Sequence, residues 1–136
     1  MDTNKYNPPA IREAFKFLVD EFHYKITREE KLYHGQREYG YVIDYLGNNR
    51  RVHLSHDYKE NFFYFSVIRG ITTRYPNDHD QENIVSFWKL FKSFKPTLEL
   101  KTLQPEGQTC ADAALINAKL LKKYASKILR GEEWII

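Results

Sequence analysis

A chain of 136 residues, 42% hydrophobic and 29% charged, suits one domain that buries roughly two-thirds of its unfolded surface and is too apolar to stay disordered. Its single cysteine excludes an intrachain disulfide and any Cys-based zinc cluster, and suits a reducing compartment. The net charge of +3 is unevenly spread, with nine Lys/Arg against three Asp/Glu in residues 84–131 and 12 basic against 15 acidic residues elsewhere. Such asymmetry marks either an anionic partner or helices with lysine on their wet faces.

Residues 1–7 are polar and carry no apolar leader core, and no stretch approaches membrane-spanning length. The expectation is a soluble, cytoplasmic protein without membrane contact. Asn7-Pro8-Pro9 then opens a helix, since Asn caps well and Pro is tolerated in a first turn whose N–H groups lack partners. Ile11, Ala14, Phe15, Leu18, Val19 and Phe22 share one face of it, and Arg12, Glu13, Lys16, Asp20 and Glu21 the other.

Residues 24–34 thin to Ile26, Leu32 and Tyr33 among Arg28, Glu29, Glu30 and Lys31, which reads as a polar edge strand. After a turn at Gly35-Gln36, Tyr39, Tyr41, Ile43 and Tyr45 alternate with Gly40, Val42, Asp44 and Leu46. Gly47-Asn48-Asn49 marks the next turn. Val52 and Leu54 then point inward, with Arg51, His53, Ser55 and Asp57 outward. Past a polar break at residues 57–61, Phe63, Phe65 and Val67 oppose Phe62, Tyr64 and Ile68, so this strand is apolar on both sides. Aromatic residues at 15% favour such a sheet.

A polar loop over residues 71–80 leads to a second helix, with Asp80 as its expected N-cap and a face of Ile84, Val85, Phe87, Trp88, Leu90, Phe91 and Phe94. Pro96 ends it. Residues 98–103 alternate as a strand or extended linker. A long helix runs on to Arg130 with Gly131 as its stop, placing Cys110, Ala114, Asn117, Leu121, Ala125, Ile128 and Leu129 inward. Trp134-Ile135-Ile136 is expected to pack back onto the fold. The whole predicts a single α+β domain over residues 1–136: a four-stranded antiparallel meander with one N-terminal helix and two C-terminal helices packed on one face.

No motif for catalysis or cofactor binding stands out. His53, Ser55 and Asp57 share a face, but two residues along a strand advance about 6.5–7 Å, and a nucleophile and its base need roughly 2.6–3.2 Å. His53 and His56 point to opposite faces, so one metal cannot take both. Asp78-His79-Asp80 with Glu82 lacks the Gly and distal Glu of a calcium loop, and a loop with a helix cap accounts for it. Cys110 falls on an apolar face, where a free cysteine behaves as a small hydrophobe. The six glycines form no phosphate loop. No cofactor or metal is expected.

These patterns predict a non-enzymatic domain that binds another protein or a second copy of itself. Its interface is placed on the outer sheet face at Arg51, His53, Phe62 and Tyr64, an aromatic centre edged by charge. Two alternatives belong to other classes. One is a nucleic-acid accessory protein using Lys89, Lys92, Lys95, Lys122 and Lys123, electrostatic and without sequence preference because it lacks base-reading Arg. The other is a hydrolase whose site is assembled from distant segments.

Overall fold

In the computed structural model, which describes residues 8–59, 62–70, 82–104 and 109–134, the alternating stretch becomes the centre of a sheet. β1 (Lys25–His34), β2 (Arg37–Gly47), β3 (Arg50–Asp57), β4 (Phe62–Arg69) and β5 (Ile84–Ser86) lie side by side in chain order, each antiparallel to the next. Only Asn48-Asn49 connects β2 to β3, with φ of 52° and 59°. Two consecutive left-handed residues make the turn whose twist matches that of the strands, and Asn tolerates that region.

One face of this sheet is the core floor. Tyr41, Ile43, Tyr45, Val52, Leu54, Phe63, Phe65, Val67 and Val85 are each at most 2% exposed, and all but Val85 are residues that alternation points inward. Over them lie α1 (Pro8–Ala14), α2 (Lys16–Asp20), α3 (Phe87–Phe94), α4 (Leu100–Leu103) and α5 (Cys110–Leu129). Phe15 meets the rings of Phe63 and Phe65 at 5.7 and 6.1 Å, and Phe65 also meets Phe87 and Phe91 at 5.8 and 5.6 Å. The expected inward face of α5 is buried throughout. Its Asn117 donates from Nδ2 to the carbonyls of Leu103 (3.2 Å) and Ala113 (2.7 Å), while its buried Oδ1 accepts no hydrogen bond among the described residues.

Several expectations are corrected. The sheet has five strands rather than four, because Ile84 and Val85 pair with Ile68 and Val67 instead of starting a helix; β-branched side chains fit that pleated surface. Ser86, in extended geometry, caps α3 through its side chain, which accepts from Lys89 N; Asp80 lies outside the described residues. Residues 98–103 form no strand, since Leu100–Leu103 is the helical turn α4, which buries Leu103, and Leu98 just before it is buried as well. The N-terminal helix is two pieces, parted where Phe15 leaves helical geometry (φ −101°, ψ 14°) while fully buried.

α5 starts at a reciprocal cap between Thr109 and Asp112. It kinks at Ala125, beside Ser126, whose hydroxyl bonds back to the Lys122 carbonyl. Its far end is tied to the β2–β3 hairpin. Tyr24 Oη and Asn48 Nδ2 donate to the Leu129 carbonyl at 2.7 and 3.0 Å, and Arg50 Nε to that of Ile128 at 3.1 Å. These are among the carbonyls a helix end leaves without partners, and a cation suits the negative end of its dipole. Gly131, at φ 78°, permits the approach, since a Cβ there would lie 2.6 Å from the Asn48 oxygen. Arg50 also donates to the Glu133 carbonyl at 2.9 Å, and Trp134 packs back as expected, 5.0 Å from Arg50 and 5.4 Å from Arg69. Ile135 and Ile136 lie outside the described residues. Among the described residues no helix is long and apolar enough to cross a membrane.

Arg50→Met should destabilise the fold by about 2–4 kcal/mol in urea unfolding, since the hairpin and helix-end carbonyls lose a charged donor; a loss below about 0.5 kcal/mol would contradict this role. Burial pushes Cys110 and Tyr45 each up to about 12 from 9.0 and 10.0, and raises Tyr24 as well. Groups raised on folding stabilise fully below their unfolded values and lose that contribution as pH climbs through the folded ones. Thermal stability should therefore fall between about pH 9 and 12, and native Cys110 should resist iodoacetamide at mildly alkaline pH until the chain is unfolded.

Candidate interaction surface on the outer sheet face

The side of the sheet away from the helices carries the even-numbered residues of β2 and β4 and the odd-numbered residues of β3. A two-residue turn at Asn48-Asn49 sets opposite partners symmetrically about it, so Asp44 stands across from His53, and His53 in turn from Ser66. Arg28 of β1 is opposite Asp44. One row thus crosses four strands: Arg28, Asp44, His53, Ser66.

The row is joined electrostatically at its centre. His53 Nδ1 lies 2.6 Å from Asp44 Oδ1, with side-chain exposures of 14% and 5%. An ionised carboxylate only accepts, so the proton of this short, charge-assisted bond belongs to Nδ1. Arg28 Nη1 stands 3.9 Å from Asp44 Oδ2, and its Nη2 bonds Glu30, whose carboxyl is held below the usual range by that hydrogen bond and the guanidinium charge. No hydrogen bond joins His53 to the Ser66 hydroxyl among the described residues.

The four residues expected at an interface sit at different depths. Tyr64 is open, at 40% exposure, opposite Ser55. His53 is half-covered and engaged by Asp44, whereas Arg51 is only 8% exposed, between Leu46 and Ile68. Phe62 pairs with Asp57 in the backbone, and its side chain lies outside the described residues. Asp44, Arg28 and Glu30 were read in the sequence only as polar strand residues, not as part of a site. Counting outward from Asn48-Asn49 would have found the first of them.

The remaining candidates resolve individually. Asp57 accepts from Lys59 N at 2.9 Å and belongs to the turn after β3. His56 is buried on the inner face, edge-on to Tyr41 and Tyr58 at 5.5 and 5.3 Å. The raised Cys110 thiol is disfavoured as a thiolate nucleophile. Among the described residues no cluster of three His, Cys, Asp or Glu is placed to hold a metal ion; Asp78-His79-Asp80 lies outside them. Two open clefts, of about 480 Å³ beside Glu38 and Tyr58 and about 330 Å³ beside Arg12 and Ile26, include neither His53 nor Asp44.

The expected lysine set divides. Lys92 Nζ is held by the carbonyls of Pro96 and Leu98, and Lys122 by Glu21 at 2.6 Å. Lys123 lies 5.2 Å from the Tyr124 ring, while Lys89 and Lys95 are exposed. No protein-family model matches the chain, and comparison with curated proteins and solved structures gives no match either.

A double-mutant cycle on Asp44→Ala and His53→Ala, read by urea unfolding, should return a coupling of about 1–2 kcal/mol for so short and sheltered a pair. Additivity within about 0.3 kcal/mol would show that the contact carries no energy.

Proposed function

We propose that the chain is a non-enzymatic, cytoplasmic domain that binds a protein partner, another chain or a second copy of itself, through the outer face of β2–β4. The observation that carries this reading is Tyr64, 40% exposed and paired with Ser55 of β3, next to the Asp44–His53 row. A tyrosine offers a large, rigid, amphipathic contact with little rotamer entropy to lose, and such residues dominate interface energies. The neighbouring polar groups are already held by Asp44, which lowers the cost of ordering them on binding.

Relay chemistry has less support on the same residues. Asp44, His53 and Ser66 follow the order of a hydrolytic triad, yet among the described residues no hydrogen bond joins His53 to the Ser66 hydroxyl. An exposed ring beside a preset charge pair is explained more simply by recognition than by catalysis.

Tyr64→Ala should change stability by less than about 1 kcal/mol, as for a surface residue, while abolishing capture of the partner by the tagged protein. Sedimentation of wild type and variant separates self-association from a different partner. A variant that loses about 3 kcal/mol or more would place Tyr64 in the core, and one that captures the partner unchanged would remove it from the interface.

A further inference from the structure

α5 buries one arc of its surface and leaves the other to solvent. On that outer arc Lys119, Lys123 and Lys127 recur at intervals of four, all exposed; Lys119 and Lys123 stand one turn apart over roughly 6 Å of helix, and Lys127 follows past the kink at Ala125. Like charges at this spacing weaken a helix, so the stripe is a cost to folding. Four other lysines are paired with a carboxylate, Lys16 with Asp20, Lys31 with Glu38, Lys101 with Glu99 and Lys122 with Glu21. The three on the stripe have no carboxylate within ion-pair distance among the described residues.

Beside the stripe lies an aromatic pair. The end of α3 brings Phe94 almost parallel to Tyr124, centroids 5.9 Å apart and planes at 17°, and Phe94 remains 36% exposed. Lys123 Nζ is 5.2 Å from the Tyr124 ring, and the exposed Lys95 follows Phe94 directly. An unneutralised cationic track along an exposed π surface matches what binds single strands: phosphates follow the charge and bases stack on the rings.

We infer that the Lys119–Lys123–Lys127 stripe of α5, with the Phe94–Tyr124 pair at its edge, is a docking face for single-stranded nucleic acid. Duplex cannot use the aromatic pair, because its bases are already stacked. An acidic protein segment would need the lysines and leave the rings unexplained. The face has no Arg to read base edges, so it binds without sequence preference. It is separate from the outer sheet face and does not depend on what binds there. It also differs from the lysine set expected at first, because Lys92 and Lys122 are already engaged.

Fluorescence anisotropy of a labelled oligothymidylate, titrated with the full chain between about 50 and 200 mM salt, tests this. Binding is expected with a slope of log K on log salt of about −2 to −3, as for three or four phosphates on a single strand. The variant Lys119→Gln/Lys123→Gln/Lys127→Gln should fold normally, since Gln is about as helix-prone as Lys, and should lose both binding and slope. Phe94→Leu should weaken binding at least about fivefold with the slope kept. Lys89→Gln, on the other side of α3 from Phe94 by helical spacing, should change nothing. The inference is overturned by no binding at the lower salt, by binding that survives the triple variant at wild-type melting temperature, or by an unaffected Phe94→Leu, which would indicate counterion attraction alone. A polyglutamate peptide that competes as well as unlabelled oligonucleotide would overturn it in favour of an acidic protein partner.

Discussion

The fold depends on the Asn48-Asn49 turn. Two residues with positive φ allow only one pairing of the strands around them, and that pairing orders the side chains on both faces of the sheet. Inward it sets Ile43 against Leu54 and Tyr45 against Val52, the centre of the core floor. Outward it sets Asp44 against His53. At the tip it holds Asn48 and Arg50 where they reach the last carbonyls of α5, 81 and 78 residues further along the chain. A slip by one residue would turn every one of these side chains to the wrong face.

The long helix is therefore located at both ends by polar groups and along its length by apolar ones. Its start is local, a reciprocal Thr109–Asp112 cap, whereas its end is satisfied by Tyr24, Asn48 and Arg50 from the other half of the chain. Gly131 serves both needs, as a left-handed stop and as the only residue small enough beside the Asn48 carbonyl. Trp134, resting near Arg50 and Arg69, extends the same junction.

Two surfaces remain once the core is accounted for, and they differ in kind. The outer sheet face has its charges mutually engaged around Asp44, with Tyr64 open beside them. That arrangement suits a partner matched in shape and hydrogen bonding. On the outer arc of α5, Lys119, Lys123 and Lys127 stand apart from any carboxylate among the described residues, while Lys122 pairs with Glu21, and so present a field to anionic ligands. Charge asymmetry along the sequence is concentrated on this helical side.

Much of this was legible in the residue pattern. Alternation from Tyr41 to Val67 placed the inner face, though Tyr39, on the same side by period, stacks on His34 and stays half-buried, and the 3.6-residue period of the last helix placed Cys110, Ala114, Asn117, Leu121 and Ala125 inward. Both arise from local geometry, in which side-chain direction depends only on position along the element. The rest was decided by contacts between segments distant in sequence. Ile84 and Val85 suit a helix or a strand equally by period, and became β5 because β4 offered an unpaired edge. The leucines of residues 98–103 alternate like a strand, yet Leu100–Leu103 curls into a helical turn because Leu103, and Leu98 just before the turn, are drawn into the core. Phe15 broke the first helix while seated between Phe63 and Phe65. The same division holds for the candidate surfaces. Residue pattern alone put Arg51, His53 and Tyr64 on one face of the sheet and gathered Lys89, Lys92, Lys95, Lys122 and Lys123 into one helical lysine set. Only the tertiary structure decided which of them are engaged, because Asp44 and Glu21 find His53 and Lys122 across strands and across layers, a pairing that no single element's period contains.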